Sequence, residues 1–316
     1  MRTRGAAAAR HLAPPRAVHT PIWLRAAPAI FLVFWSAGYP FAKIVLRHAE
    51  PLTALALRYL IVLLVMAVIA LFVRPKLPSS PGQWGHMIIS STLLQVVYFG
   101  CCWYALWLGV ATGTVALILS LQPILVAILA PGITQERVGV RQWTGLLLGL
   151  AGAALVIWVR SQVEAVHPLE LGLVAGALVA ITGSTLYEKR YVQAHHPVAV
   201  SLIQHLVGVA GTTWLAVALE TCEIHWTNDF VVALAWFVVC NSLIAVSLLL
   251  VMIQRGEAAR VCALFFLVPP MAAVLSWLML GEPVPLMAWP GMAVAMLGVA
   301  LATWPAGGRP RARPPQ

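Results

Sequence analysis

Arg58 stands alone as a charge inside a long apolar stretch, LTALALRYLIVLLVMAVIALFV, about two turns or roughly 10 Å from its start. A guanidinium held there can clamp a carboxylate or a phosphate through two parallel hydrogen bonds. The plainer alternative is that it snorkels toward the nearer surface or fastens its helix to a neighbouring carbonyl. Other polar and aromatic groups recur inside apolar runs: Ser36, Tyr39, Gln95, Tyr98, Ser120, Gln122, Thr182, Thr185, Tyr187, His205, Asn241 and Ser242. Away from water each must find a partner, on another segment or on a bound solute. Gln95 and Tyr98 stand three apart and share a helix face, as do Thr182 and Thr185. Singly, each is more often glue between helices. As a set, Ser36, Tyr39, Gln95, Tyr98, Ser120, Gln122, Thr182, Tyr187 and Asn241 are the candidates for lining a solute pathway.

Carboxylates are missing from that set. Glu50, Glu136, Glu164, Glu170, Glu220, Glu223, Asp229, Glu257 and Glu282 fall at or between the ends of apolar runs, and Glu188 falls at the end of one. An acid at mid-depth is the usual sign of proton or cation coupling. Exchange of protons for a cationic solute is therefore disfavoured, and any proton dependence falls to Glu188. His195 and His196 precede Pro197 in a short turn, point apart, and have no Cys or acid to complete a ligand set, so no metal site is expected. Cys101, Cys102, Cys222, Cys240 and Cys262 show no CxxC spacing and read as small packing residues. A Gly-rich phosphate loop and a nucleophile elbow are both absent. No catalytic residue and no cofactor is expected. An enzyme acting on a lipid-linked substrate would need a cluster of acids, histidines or metal ligands near one interface, and only scattered single residues are present.

The elements that must position these groups follow from composition. Hydrophobic residues make up 61% of the 316, only 9% are charged, and mean hydropathy is +0.89. A soluble domain is about half apolar and a quarter charged, so the chain reads as an all-α integral membrane protein. Apolar runs predict ten helices at 27–46, 52–73, 84–107, 112–131, 142–159, 170–188, 197–219, 231–253, 258–280 and 285–304. Pro51, Pro197 and Pro285 open helices, where a missing N–H costs nothing. A disordered basic tail is expected over 1–26 and a second polar tail over 305–316. With both tails cytoplasmic, only Lys43, Arg47 and Arg160 of the 20 Lys and Arg fall outside, with Arg58 buried in its run. That asymmetry places both termini in the cytoplasm. The net charge of +10 is then an orientation signal spread over short loops, and no nucleic acid is expected as a partner. The partners expected are the bilayer and a small solute, with the chain a monomer or, alternatively, a dimer.

The ten runs are two copies of one unit, 27–159 and 168–304. A shift of 146 residues lays Leu121 on Leu267, Pro123 on Pro269, Glu136 on Glu282, Trp143 on Trp289, Gly145 on Gly291 and Gly152 on Gly298, without a gap. A unit of five helices inserts its second copy upside down, and loop charges change accordingly. Arg74 becomes Glu220, and Gly109 and Thr114 become Arg255 and Arg260. Two inverted five-helix repeats have near-degenerate inward-open and outward-open arrangements around a central site. Pro123 and Pro269, at matching positions, are expected to free the carbonyls of Leu119 and Phe265 and to act as hinges, or else as static kinks.

Phe34-Trp35-Ser36 through Lys43, Pro51 with Leu57-Arg58-Tyr59, Ser120-Leu121-Gln122-Pro123, Glu136 with Gln142-Trp143-Thr144-Gly145, and Leu267-Val268-Pro269 with Gly281-Glu282 together resemble the EamA-type transporters of the drug/metabolite transporter superfamily. The resemblance runs from about 27 to 304. It implies ten helices around a central cavity and export of amino acids or related metabolites across a bacterial inner membrane, by alternating access. Trp35-Ser36 departs from the family's more frequent Trp-Gly, and Pro283 follows Glu282. A carrier of other metabolites, such as nucleotide-sugars or drugs, is the alternative within the same family.

Overall fold

The computed structural model describes residues 22–110, 112–134, 138–160, 167–192, 194–255, 258–280 and 286–304. The tail residues 1–21 and 305–316, and Glu136, Glu164, Glu257, Gly281, Glu282, Pro283 and Pro285, lie outside the described residues.

Helix follows helix. The order is α1 (Ile22–Val45), α2 (Pro51–Val73) and α3 (Pro81–Ser91), which runs through a π-helical stretch, Thr92–Tyr98, into α4 (Phe99–Trp107). Then come α5 (Thr112–Leu119), α6 (Gln122–Ile133), α7 (Val140–Arg160) and α8 (Pro168–Tyr187), whose continuation Glu188–Val192 is again π-helical. The second half continues with α9 (Pro197–Leu219) and α10 (Asn228–Trp236), a π-helical stretch Phe237–Val246, and α11 (Ser247–Arg255). The chain closes with α12 (Ala258–Cys262), a 3₁₀ stretch Ala263–Leu267, α13 (Val268–Leu280) and α14 (Ala288–Thr303). Among the described residues the only β-type pairing is an isolated bridge between Ala49 and Ile224.

Among the described residues six helical stretches are long and apolar enough to cross a membrane: Ala26–Val45, Pro51–Val73, Pro81–Trp107, Pro168–Val192, Pro197–Leu219 and Asn228–Arg255. Shorter apolar helices lie at Gln122–Ile133, Val140–Val156, Ala263–Ala272 and Ala288–Thr303. Proline opens α2, α3, α8 and α9 at the N-terminal position where no hydrogen bond is lost. Side-chain caps fix several of these starts. The Ser80 hydroxyl accepts from Gln83 N–H, and the Thr227 hydroxyl accepts from Phe230 N–H at 3.2 Å. Residues 22–26, expected to end the basic tail, belong to α1.

The expected helices 112–131 and 258–280 are each interrupted. α5 stops at Leu119, Ser120 and Leu121 turn, and α6 restarts at Gln122 with Pro123 in its first turn. In the second copy a 3₁₀ stretch separates α12 from α13, and Pro269 is again the second residue of the new helix. Ahead of each proline the regular α-helix gives way to a turn or a 3₁₀ stretch, with the backbone still in the right-handed helical region at Leu121, Cys262 and Val268. The reason is that proline has no N–H for the carbonyl four residues back and its ring crowds that carbonyl.

Two helix pairs make the most extensive contacts between the copies. α7 packs along α14 through glycines: a Cβ on Gly145 would come 2.6 Å from the Gly298 oxygen, and one on Gly152 would come 2.6 Å from the Gly291 oxygen. Ascending positions on one helix meet descending positions on the other, so the pair is antiparallel. α2 packs along α9 in the same sense. The start of α2 meets the residue after α9, where the Glu220 carboxylate accepts from Leu52 N–H, Thr53 N–H and the Thr53 hydroxyl, each at 2.8 Å. Glu50 reciprocates by accepting from Thr221 N–H at 2.7 Å. The faces of this pair turned away from the protein are bare and apolar, with Phe72 84% and Trp214 72% exposed. Inside, Phe31, Trp35, Tyr98, Phe99, Phe237 and Phe265 belong to one core cluster built on α1, the two long π-containing helices and the 3₁₀ stretch.

Candidate functional site

Two adjoining chambers lie against α1 and share Trp35, Tyr39 and Tyr98 as walls. The larger spans about 370 Å³ between atoms, its open mouth included, and adds Gly38, Phe99, Cys102, Trp103, Phe237 and Asn241. The smaller spans about 260 Å³ on the same measure and adds Ser120, Gln122, Ile181, Phe265 and Val268. Trp35 stacks on Tyr98 with ring centroids 6.4 Å apart and meets Phe265 edge-on at 5.2 Å, so the shared wall is an aromatic shelf.

π-helical geometry presents these walls. Thr92–Tyr98 and Phe237–Val246 occupy equivalent places in the two copies, and the 146-residue shift carries Gln95 onto Asn241. An i→i+5 turn widens the helix and swings a residue out of the regular stripe, a feature that often marks functional sites. The break at Ser120–Leu121 does similar work for the smaller chamber: it turns Ser120 and Gln122 onto its wall.

The candidates from the sequence divide as follows. Tyr39, Tyr98, Ser120, Gln122 and Asn241 meet at the chambers. Ser36 is fully buried beside them in sequence, and its hydroxyl has no hydrogen-bond partner. Gln95 is also fully buried, with both amide atoms unpartnered. Thr182 lies off the chamber walls and donates to the Leu178 carbonyl at 2.7 Å. Tyr187, expected on the pathway, is displaced from it: its hydroxyl bonds the His86 ring at 2.7 Å and its ring packs on Tyr191 at 4.7 Å. α8 is apolar nearly all round, so its sequence does not say which way Tyr187 points.

Arg58 does not snorkel; it fastens α2 to the side-chain carbonyl of Asn241 on the π-helical stretch Phe237–Val246. It is fully buried; Nε donates to the Ser242 hydroxyl at 2.8 Å and Nη2 to Asn241 Oδ1 at 2.7 Å, while Nη1 has no partner. Four rings enclose the guanidinium: Phe99 at 4.8 Å, Phe237 at 4.9 Å, Tyr59 at 5.5 Å and Trp103 at 5.8 Å to their centroids. Cation–π attraction partly replaces the missing counter-ion. Phe99, Trp103, Phe237 and Asn241 all line the larger chamber, so the cation sits directly behind its wall. Trp103, buried in the core cluster, is part of that cage. The spacing of Trp103 four residues after Phe99 and of Tyr59 next to Arg58 was the available signal.

Glu188 is the one buried acid among the described residues. Its carboxylate accepts from Ser90 Oγ at 3.1 Å and from Gln204 Nε2 at 2.5 Å. Gln204 is the counterpart of Arg58 under the shift, so equivalent places in the two copies carry a cation in one and an amide bonded to an anion in the other.

Comparison with known proteins agrees with this architecture. The description "EamA-like transporter family" matches residues 26–158 and again 169–304. A Bacillus subtilis (strain 168) protein named "Uncharacterized transporter YvbV" is 24% identical over 274 residues, which cover 86% of this chain and 89% of that one. A Salmonella typhimurium protein named "Probable amino-acid metabolite efflux pump" is 22% identical, covering 85% of this chain and 91% of its own. A solved crystal structure superposes with a TM-score of 0.72 at 19% identity, covering 89% of this chain and 97% of the other, a likeness of fold.

Proposed function

The chain belongs to the EamA-like transporter family, a multi-pass membrane protein with a small-molecule substrate, and from that premise we propose a secondary carrier that exports amino acids or related small metabolites. In this reading it works by alternating access, with ten membrane helices in two inverted five-helix repeats, both termini cytoplasmic, in a bacterial inner membrane. One chain supplies both halves and acts as a monomer.

The observation that carries the reading is the reciprocity of contacts between the copies. Gly145 meets Gly298, the counterpart of Gly152, and Gly152 meets Gly291, the counterpart of Gly145. Such exchange is what a two-fold relation produces, and antiparallel pairing of equivalent helices supports an axis lying in the membrane plane. Two chambers between such halves suit a site that each half can uncover in turn. The name of the Salmonella typhimurium relative supports small amino-acid metabolites as cargo. The relatives carry transporter names, in keeping with a protein that moves its substrate unchanged.

Purified protein in liposomes, tested by counterflow against panels of amino acids, sugars and nucleotides, decides the matter. Movement of an amino acid supports the proposal. Movement of sugars or nucleotides alone overturns the cargo class, and no movement with an unchanged thermal melt overturns the carrier.

A further inference from the structure

Two side-chain amides on the chamber walls are held in opposite senses by their hydrogen-bond partners, Arg58 for Asn241, and Thr185 with Cys262 for Gln122. Arg58 offers donors alone, so the Asn241 oxygen must face it, as the 2.7 Å bond from Nη2 to Oδ1 records. The Asn241 nitrogen is thereby turned the other way, toward α1, where a Cβ on Gly38 would come within 3.4 Å of Nδ2. Gly38 and Asn241 both line the larger chamber, and glycine keeps the space in front of that donor clear.

Gln122 is held in reverse. The Thr185 hydroxyl spends its proton on the Ile181 carbonyl at 2.8 Å, so toward Gln122 it can only accept. Gln122 Nε2 donates to it at 3.2 Å. Oε1 is left buried without a partner at the wall of the smaller chamber. Trp35, Tyr39 and Tyr98 line both chambers.

We propose that the chambers together bind one zwitterionic solute in a single orientation, its carboxylate accepting from Asn241 Nδ2 and its ammonium donating to Gln122 Oε1, with its apolar part on the Trp35–Tyr98 shelf. Arg58 is a positioning residue: it fixes the Asn241 amide and places a positive charge behind the carboxylate. The aromatic faces help the neutral Gln122 carbonyl hold the ammonium. A solute carrying both charges needs no acid in the wall, which accounts for a chamber with one buried cation behind it and no carboxylate on it. The inference rests on the carrier reading and names the residues that would select its cargo.

The test uses L-leucine, L-methionine and L-phenylalanine in liposome counterflow, each beside its deaminated acid and its decarboxylated amine. Wild-type protein should move the amino acid about tenfold faster than either analogue, the factor that one hydrogen bond of ordinary strength supplies. Gln122→Met should close the gap to the deaminated acid and leave the gap to the amine. Asn241→Leu should do the converse, and Asn241→Asp, which keeps a partner for Arg58, serves if the leucine variant does not fold. Parallel slowing of all three compounds, or closure of the wrong gap, overturns the inference while the carrier reading stands. If none of the amino acids moves, whether or not sugars or nucleotides do, the amino-acid cargo and this inference fail together.

Discussion

His205 packs edge-on against Tyr59, ring centroids 5.8 Å apart, and His205 is the residue that takes the place of Tyr59 when the chain is shifted by 146. A residue that touches its own counterpart lies on the axis relating two copies. Farther from that axis, contacts become exchanges, as between Gly145 and Gly298 on one side and Gly152 and Gly291 on the other. The proposed two-fold relation therefore has separate support from α2 with α9 and from α7 with α14.

The glycine seam should tolerate nothing larger. A Cβ at position 298 would lie 2.2 Å from the Gly149 nitrogen, a collision with backbone that no rotamer relieves. Gly298→Ala should lower stability by at least about 1–3 kcal/mol, the usual range for overpacking a tight contact. Gly85→Ala is the control, since nothing lies within 4 Å of that Cβ. It should leave the melting temperature unchanged or slightly raised, because alanine outdoes glycine in a helix by about 0.5–1 kcal/mol. Equal melts for the two variants would contradict the close approach of α7 and α14.

Arg58→Met separates positioning from stability. Replacing a buried charge by an apolar chain of similar size is often neutral or stabilising, although here Asn241 and Ser242 each lose a partner, at about 1 kcal/mol apiece. The melt should therefore move little. Counterflow should fall about tenfold, as the Asn241 amide becomes free to turn. If activity instead follows the melt, Arg58 is only a fastening between α2 and the π-helical stretch.

Cys222 reports orientation without any substitution. It is the one exposed cysteine among five, in the segment between α9 and α10, while Cys101, Cys102, Cys240 and Cys262 lie buried or half-buried. With both termini cytoplasmic this segment faces outward. A membrane-impermeant maleimide should label intact cells expressing the protein, and Cys222→Ser should abolish the label. Labelling that appears only after permeabilisation would invert the topology.

Much of this was open to reading in the sequence. The shift of 146 fixed the two copies, the prolines marked helix starts, and five of the nine pathway candidates stand on the chamber walls. What escaped has physical causes. α2 and α8 are apolar around their whole circumference, so periodicity gave no facing for Arg58 or Tyr187, and one proved caged while the other proved remote from the chambers. π-helical stretches leave no trace in composition, yet they aim Asn241. The orientation of an amide depends on whether its neighbour can still donate, and the neighbours of Asn241 and Gln122 come from segments far along the chain.

The prolines give the last expectation, and the structure changes its form. Pro123 and Pro269 each stand second in a restarted helix, so a pivot is expected at the interruptions before them: the Ser120–Leu121 turn in one copy and the 3₁₀ stretch Ala263–Leu267 in the other. Gln122 and Val268 sit at these restarts and line the smaller chamber, so movement at either break reshapes its wall. Pro123→Ala restores an N–H four residues after Leu119 and favours fusing α5 with α6. Pro269→Ala does the same for the second copy, blunted by Pro270, which follows directly. If the copies are inverted, stiffening one should favour one access state and stiffening the other its opposite. A change of about 1.4 kcal/mol already shifts a two-state ratio tenfold, well within what one restored hydrogen bond and a relieved clash can supply. Single cysteines at Leu106 and Ile133, at the C-terminal ends of α4 and α6 and so near opposite membrane surfaces in the proposed topology, should change labelling rate in opposite directions in the two variants. Rates that move together, or not at all, would make these breaks static features of packing rather than pivots.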